Sequence, residues 1–278
     1  MLLLAACGGG GGRPDLSLLD DGVLRVGLLD ACPPRHVPDL PGEVVRGCLD
    51  GAPRHAVEEA RRLVEGERVD VILAYPDDDE GYALALYVRT QPDKTLVLGS
   101  SALQATTLDV RAPNVFRYVP DAAQRAAGLG TYAYEELGWR EARIEHRPTQ
   151  AALEQAHAFA VEFCRLGGRL AAAGGAADGT FASTGGRPSL DGRVIAAAQD
   201  LDAAALLRDA FRRVDDLSDG QAALRSELRR GLDENGQAIV DVRLLAGGVT
   251  VRLVTRVEQT FAGAFGPETS PLEGEPEC

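Results

Sequence analysis

Lysine is almost missing from this chain: Lys94 is the only one among 29 basic residues, and 42 acidic residues leave a net charge of -13. That balance excludes a nucleic-acid partner, because phosphate binding draws its affinity from clustered positive charge that releases counterions. The preference for arginine reflects a GC-rich genome and says little about function. No run approaches the ~20 consecutive apolar residues of a membrane span, so the chain is tethered to a membrane at most. A Walker sequence, a Gly-x-Ser-x-Gly elbow and a His-Glu-x-x-His pair are all lacking. The cysteines show neither zinc-site spacing nor a Cys-x-x-Cys redox pair. His36, His55, His146 and His157 are isolated, and only His146 and His157 are close enough in the chain pattern to meet. The expectation is a protein that is not an enzyme and carries no cofactor and no metal.

What is present is a chain of 278 residues with 45% hydrophobic content, enough for one large core or two small lobes. Leu24–Leu29 is a short apolar run bounded by turn formers, a buried strand. Pro33, Pro34, Pro38 and Pro41 make a loop, Glu43–Leu49 is a second strand, and Arg54–Glu65 is a helix with Ala56, Ala60, Leu63 and Val64 on one face. Val69–Ala74 is almost uniformly apolar, as a parallel strand covered on both faces should be. Helix Tyr82–Arg89 and strand Thr95–Leu98 continue an alternation that implies a doubly wound α/β sheet. Asp121–Leu137 reads as one helix, capped by Asp121 and stopped by Gly138. Trp139, the sole tryptophan, is expected to pack. Ala142–His146 is a strand, and Ala151–Leu166 is a helix with Phe159 and Phe163 on one face. Residues 171–188, rich in Gly, Ala, Ser and Thr, read as a loop or disordered insert. A strand at Val194–Ala198 and helices at Asp202–Arg213 and Gln221–Arg230 follow. Asp233–Gly236 is a turn, and Ala238–Leu245 with Val249–Val257 is an antiparallel hairpin.

Two turns lie beyond strand C-terminal ends, where open α/β sheets bind ligands. Ser100 and Ser101 offer hydroxyls and backbone amides that suit a small carboxylate, and they read equally well as a polar strand-to-loop transition. Asp77-Asp78-Asp79-Glu80 fills the equivalent turn after the third strand. Its charge disfavours a carboxylate there and favours an ammonium or a cation. Like the acidic tail Glu268–Glu277, the run also reads as solvated surface. Adjacent carboxylates on one turn cannot all converge on one metal ion. Cys32 and Cys48 follow two strands at similar positions and are disulfide candidates in an oxidising compartment. Cys164, on a helix, reads as a buried free thiol, and Cys278 ends a polar tail.

The N-terminus, Met-Leu-Leu-Leu-Ala-Ala-Cys, resembles the lipobox of bacterial lipoproteins at Leu4, Ala5, Ala6 and Cys7. Lipidation of Cys7 requires a flexible spacer behind it, and Gly8–Gly12 with Arg13-Pro14 has that composition.

The interior resembles the type I periplasmic substrate-binding proteins of ABC transporters, in particular the branched-chain amino acid (Leu/Ile/Val) binding family. The resemblance runs through Val69-Asp70-Val71-Ile72, Ser100-Ser101, Pro113-Asn114-Val115-Phe116-Arg117 and the helix end Tyr132–Gly138. It implies two doubly wound parallel-sheet lobes with a ligand cleft between them, closing by a hinge. The corresponding organisation is a lipoprotein signal remnant and glycine linker over 1–22, a first lobe over 23–118 and a second, reduced lobe with a C-terminal β-hairpin over 119–262. An acidic disordered tail over 263–278 completes it. The family's first helix is replaced by the proline-rich stretch 33–41, and much of the second lobe and its return to the first look absent after Gly168. By the same resemblance the serine-bearing turn of the family falls on Tyr75-Pro76-Asp77-Asp78. Its loop threonine falls on Ala102, and its ligand-covering aromatic falls near Ala151. The ligand-binding positions so implied are Ser100, Ser101, Ala102, Asp77 and Asp78. The function implied is a lipid-anchored solute-binding component of an amino-acid-type ABC uptake system. It would sit on the extracytoplasmic face of the cell envelope, bind a small polar ligand such as an amino acid or amide, and deliver it to permease subunits. The alternative is a degenerate scaffold serving protein–protein contact at the envelope without transport.

Overall fold

The computed structural model describes residues 24–278 except 101–102, 104–105, 107–108, 111, 173, 187, 193, 198–201, 215–219, 236, 240, 247–248, 254–257 and 261–277. For 194–197 and 232–260 it describes backbone alone. The first sheet contains β1 (Arg25–Ala31), β2 (Glu43–Leu49), β3 (Val71–Ala74), β4 (Thr95–Leu98) and β5 (Val115–Arg117), in the order β2-β1-β3-β4-β5. Every neighbouring pair is parallel. The period-2 alternation of strand side chains divides the core in two. Leu29, Ile72, Ala74, Leu96 and Leu98 face one side, against α1 (Pro53–Arg61), its π-helical continuation Arg62–Gly66, and α2 (Asp78–Arg89). Val26, Leu28, Val71, Leu73, Val97 and Phe116 face the other. With both faces covered, β3 and β4 carry no exposed residue, which is why they are short unbroken apolar runs.

The chain crosses at Tyr118–Pro120 into the second lobe through α3 (Ala122–Ala126) and α4 (Leu129–Glu135). The single helix expected over 121–137 is broken at Ala127-Gly128, where Gly128 takes a left-handed φ of 82°. A carboxylate 34 residues further on stabilises the break: Glu162 accepts the Gly128 N–H at 2.9 Å and the Gly130 N–H at 3.1 Å. Gly130 also lets the α4 backbone lie directly on α5 (Gln150–Arg165), since a Cβ there would stand 2.7 Å from the Phe159 carbonyl oxygen.

The second sheet, ordered β7-β6-β8-β9, comprises β6 (Glu141–His146), β7 (Arg169–Leu170), β8 (Gly179–Ser183) and β9 (Ser189–Leu190). β8 corrects the expectation of a structureless insert at 171–188. It pairs with β6 in parallel from Gly179 to Ser183, anchored by the fully buried Phe181. Phe181 stacks on Phe159 with centroids 4.4 Å apart, and Phe159 stacks on Phe163 at 5.5 Å. Trp139 packs over Gly179, where any side chain would collide with the indole.

The chain then returns. β10 (Val194–Ala197) leads to α6 (Ala203–Arg213) and α7 (Gly220–Asn235). Ala203, Leu207, Ala210, Phe211, Leu224 and Leu228 close the open face of the first sheet. The expected boundary, which put these helices in a second lobe over 119–262 and saw no return segment, is corrected here. Polar ties confirm the docking: Tyr118 donates its hydroxyl to the Leu228 carbonyl at 3.2 Å, and Gln221 donates to the Asp70 carbonyl at 2.9 Å. α7 also absorbs 233–235, expected as a turn. Beyond it, β12 (Asp241–Ala246) and β13 (Val249–Leu253) form an antiparallel hairpin that adds to β10. β11 (Gln237–Ile239) splits from the expected first strand and pairs with β14 (Glu258–Thr260).

Two disulfides staple the fold. Cys32–Cys48 joins the proline-rich loop to β2. Cys164–Cys278 joins the end of α5 to the last residue, which corrects the reading of Cys164 as a free thiol.

Candidate functional site

The third strand ends at Ala74, Tyr75-Pro76 follows, and Asp77 caps α2 with a capping box. Its Oδ1 accepts the Glu80 N–H at 3.0 Å, while Glu80 Oε2 accepts the Asp77 N–H at 3.1 Å. Glu80 is buried, and its Oε1 also accepts the Gly51 N–H at 2.8 Å, tying this turn to the loop after β2. The residues read as acidic surface before a helix are thus the helix's own first turn. Across from them, Thr149 caps α5 by accepting the Ala152 N–H at 3.3 Å. The two helix N-termini wall a cleft of about 510 Å³ between the lobes. Asp77, Asp78 and Asp79 line one side and Pro148, Thr149, Gln150 and Ala151 the other, with Leu103 between. Leu103 and Ala151 give the cleft an apolar floor and belong to a small buried cluster with Ala122, against which Tyr82 packs.

Of the expected ligand positions, Asp77 and Asp78 lie on this cleft. Ser100 spends its hydroxyl internally, donating to the Pro76 carbonyl at 2.6 Å, which pins the end of β4 to the turn that starts α2. Ser101, Ala102 and Cys7 lie outside the described residues. Sequence reasoning from composition and periodicity missed Leu103, Thr149 and Gln150. The Pro148-Thr149 step before a helical period did signal an N-terminus. Nothing local says that it faces α2.

Beneath the crossover, Arg117 and Asp121 form a buried ion pair at 3.1 Å, their side chains 0% and 3% exposed. Arg117 also donates to the Leu103 carbonyl at 3.2 Å, linking the crossover to the cleft. At the end of β1, Asp30 organises the proline-rich loop by accepting N–H groups of Ala31, Arg35 and His36 at 2.6–2.8 Å. Burial works to raise the Asp30 carboxyl, but these donors and the His36 ring hold it below the usual range. His36 stacks on Tyr75 with centroids 3.7 Å apart. Burial, then the charges of Asp202 and Asp30, push the Tyr75 hydroxyl up to about 12, so it remains a neutral donor. Among the described residues no three His, Cys, Asp or Glu side chains converge as metal ligands, and no helix is long and apolar enough to cross a membrane.

Two α/β lobes with a cleft at their helix N-termini define a two-lobed binding protein. A family model described as periplasmic binding protein matches residues 50–208, more than half of the chain. The chain belongs to the periplasmic binding protein family, of the type I α/β class, which implies an extracytoplasmic location. No curated protein matches it. Among solved structures it is similar to an ABC transporter substrate-binding protein from Sphaerobacter thermophilus, with 16% identity and a TM-score of 0.64 over 85% of this chain and 98% of that one. The leucine binding protein LivK from Thermotoga maritima gives 13% and 0.58 over 83% and 98%. A solute binding protein of an ABC transporter from R. palustris, in complex with benzoate, gives 15% and 0.52 over 84% and 96%. At such identities the likeness is one of fold.

Proposed function

We propose that this chain is the solute-binding component of an ABC uptake system, held at the outer face of the membrane by a lipid on Cys7. It takes a small polar ligand, such as an amino acid or amide, and hands it to permease subunits. The observation that supports this reading is the cleft of about 510 Å³ walled by both lobes, with helix N-termini on each side and an apolar floor. Such a cleft matches the size of small-molecule sites, and ligand contacts to both walls favour closure. The buried pair Arg117–Asp121 at the crossover between the lobes is consistent with closure of one lobe on the other.

Thermal-shift screening with amino acids and small amides tests binding, because a ligand that recognises only the folded state at 100 times its Kd adds about 2.7 kcal/mol. Filling the cleft by Ala151→Trp should abolish the shift. Labelling with a radioactive fatty acid should mark the wild-type chain and not Cys7→Ala. If no compound raises the melting temperature while an envelope protein co-purifies stoichiometrically, the transport reading falls and a contact scaffold replaces it.

A further inference from the structure

Among the described strands, β2 stands at one edge of the first sheet and pairs with β1 alone. β5, at the other edge, is buried along its length, whereas β2 has Glu43 and Arg46 exposed and Val44, Val45 and Cys48 half-buried. An open edge of this kind presents backbone N–H and C=O groups to any extended strand. Glu43 donates its N–H to the Leu24 carbonyl at 2.8 Å, so by the alternation of a strand the backbone groups of Val44, Arg46 and Cys48 point outward. Two of these groups are taken, and not by backbone. Arg62 Nη2 donates to the Arg46 carbonyl at 2.9 Å, and Glu59 Oε2 accepts the Cys48 N–H at 3.2 Å. The two side-chain atoms are themselves paired at 3.0 Å. In a parallel sheet, the residue opposite Gly47 makes the same two bonds, its N–H to Arg46 and its C=O to Cys48. The ion pair thus fills the place of a neighbouring strand. Gly47 leaves room for it: its face is turned to α1, and a Cβ there would stand 2.8 Å from Glu59 Oε2 and 2.6 Å from Leu29 Cδ2. Arg62 is oriented in turn by Glu67, which accepts from Nη1 at 3.3 Å. The guanidinium holds the Glu59 carboxyl below the usual carboxylate range against its burial, so the pair is charged at neutral pH.

We infer that Glu59 and Arg62 act as a surrogate strand that closes the β2 edge and keeps a second copy of this chain from pairing there. A second copy is the matching occupant because its β2 offers the same outward groups, and a twofold contact needs only one self-complementary surface. Antiparallel pairing centred on Val45 sets Val44 opposite Arg46, so no like charges face each other directly, and the Val44 N–H of each copy meets the Arg46 carbonyl of the other. That carbonyl is the one Arg62 covers. Strand addition must break this contact and leave the Glu59 carboxylate without its guanidinium.

Sedimentation velocity on the full chain reads the outcome. The wild type should run as a monomer, and Glu59→Ala/Arg62→Ala should dimerise at least about 10-fold more tightly. Adding Val44→Pro to the double variant should restore the monomer, since proline there removes an N–H that faces away from β1. Amide exchange in dilute solution gives a second reading: the Cys48 N–H, though on the outer edge, should be protected in the wild type and exchange at least about 10-fold faster in Glu59→Ala. A circular dichroism melt verifies that each variant folds; if the double variant does not, the Cys48 exchange decides. A folded double variant that stays monomeric at every concentration overturns the inference, as does Cys48 exchange unchanged by Glu59→Ala. A dimer that persists with Val44→Pro places the contact elsewhere and also overturns it. So does a wild type whose own dimer is broken by Val44→Pro, because its edge is then open.

Discussion

Replacing Arg117 with methionine gives the sharpest test of how the crossover is held. The guanidinium is fully buried, 3.1 Å from Asp121 Oδ2, and also donates to the Leu103 carbonyl. Methionine has similar length and no charge, so Arg117→Met removes the cation while keeping much of the packing. Asp121 is then left 3% exposed, its Oδ1 still accepting the Gln124 N–H at 2.7 Å but its charge unmatched. Removing one partner of a buried pair typically costs about 3–5 kcal/mol, far above the 0–1 kcal/mol of an exposed pair. Asp121→Asn alone should cost a similar amount. The double variant removes both charges and should recover about 2 kcal/mol or more relative to the sum of the single changes. Urea unfolding followed by Trp139 fluorescence and far-UV circular dichroism supplies the three free energies, provided the two probes give coincident transitions. A loss below about 1 kcal/mol in Arg117→Met, or strict additivity in the double variant, would refute the view that this pair pins the crossover. Because Arg117 also holds the Leu103 carbonyl, the single variant should weaken ligand binding as well.

Gly179→Ala forces a Cβ into the Trp139 ring and should cost about 1–3 kcal/mol; an unchanged emission maximum and urea midpoint would count against this packing. Cys164→Ser frees Cys278 and should lower stability by about 2–4 kcal/mol, and in the wild type a non-reduced digest should contain the two peptides linked. Burial pushes Glu162 up to about 7, against the pull of N–H donors from Gly128, Thr131 and Gly130. A folded value above the unfolded one means that stability is fully present below about pH 4.5 and is lost as pH rises through 7, by up to about 3 kcal/mol. Glu162→Gln should flatten that decline, and parallel pH profiles in the two proteins would rule the assignment out.

Much of the first lobe is legible in the sequence because its signals are local. Glu43–Leu49 and Thr95–Leu98 form as read, since short apolar runs between proline, glycine and aspartate turns have few alternatives. What escapes is non-local. β8 has one large apolar residue, Phe181, in a stretch of small ones, and only parallel pairing with β6 makes it a strand. The break between α3 and α4 is held by Glu162 from another helix, so a helical period ran through it. Amphipathicity located α6 and α7 but could not say which sheet they cover. The Cys164–Cys278 link spans 114 residues, whereas Cys32–Cys48 spans 16 and lies beside paired strands. In the cleft, the capping box was written in Asp77-x-x-Glu80, but a run of four acids reads first as surface. The opposite wall needed the fold to bring it there.

The acidic lip and the tie between the turns after β2 and β3 fit one physical account. Three adjacent carboxylates repel one another, and on an open loop that repulsion would oppose order. At the N-terminus of α2 it is offset, because Asp77 and Glu80 satisfy orphan amides and the helix dipole favours negative charge in the first turn, by about 0.3–1 kcal/mol per group. Glu80 extends the same stabilisation to the Gly51 amide, so the turns after β2 and β3 are locked together. A basic lip at this position would oppose the α2 dipole. An acidic one stabilises the helix while it lines the cleft, so the residues that anchor this edge of the first lobe also form one wall of the cleft.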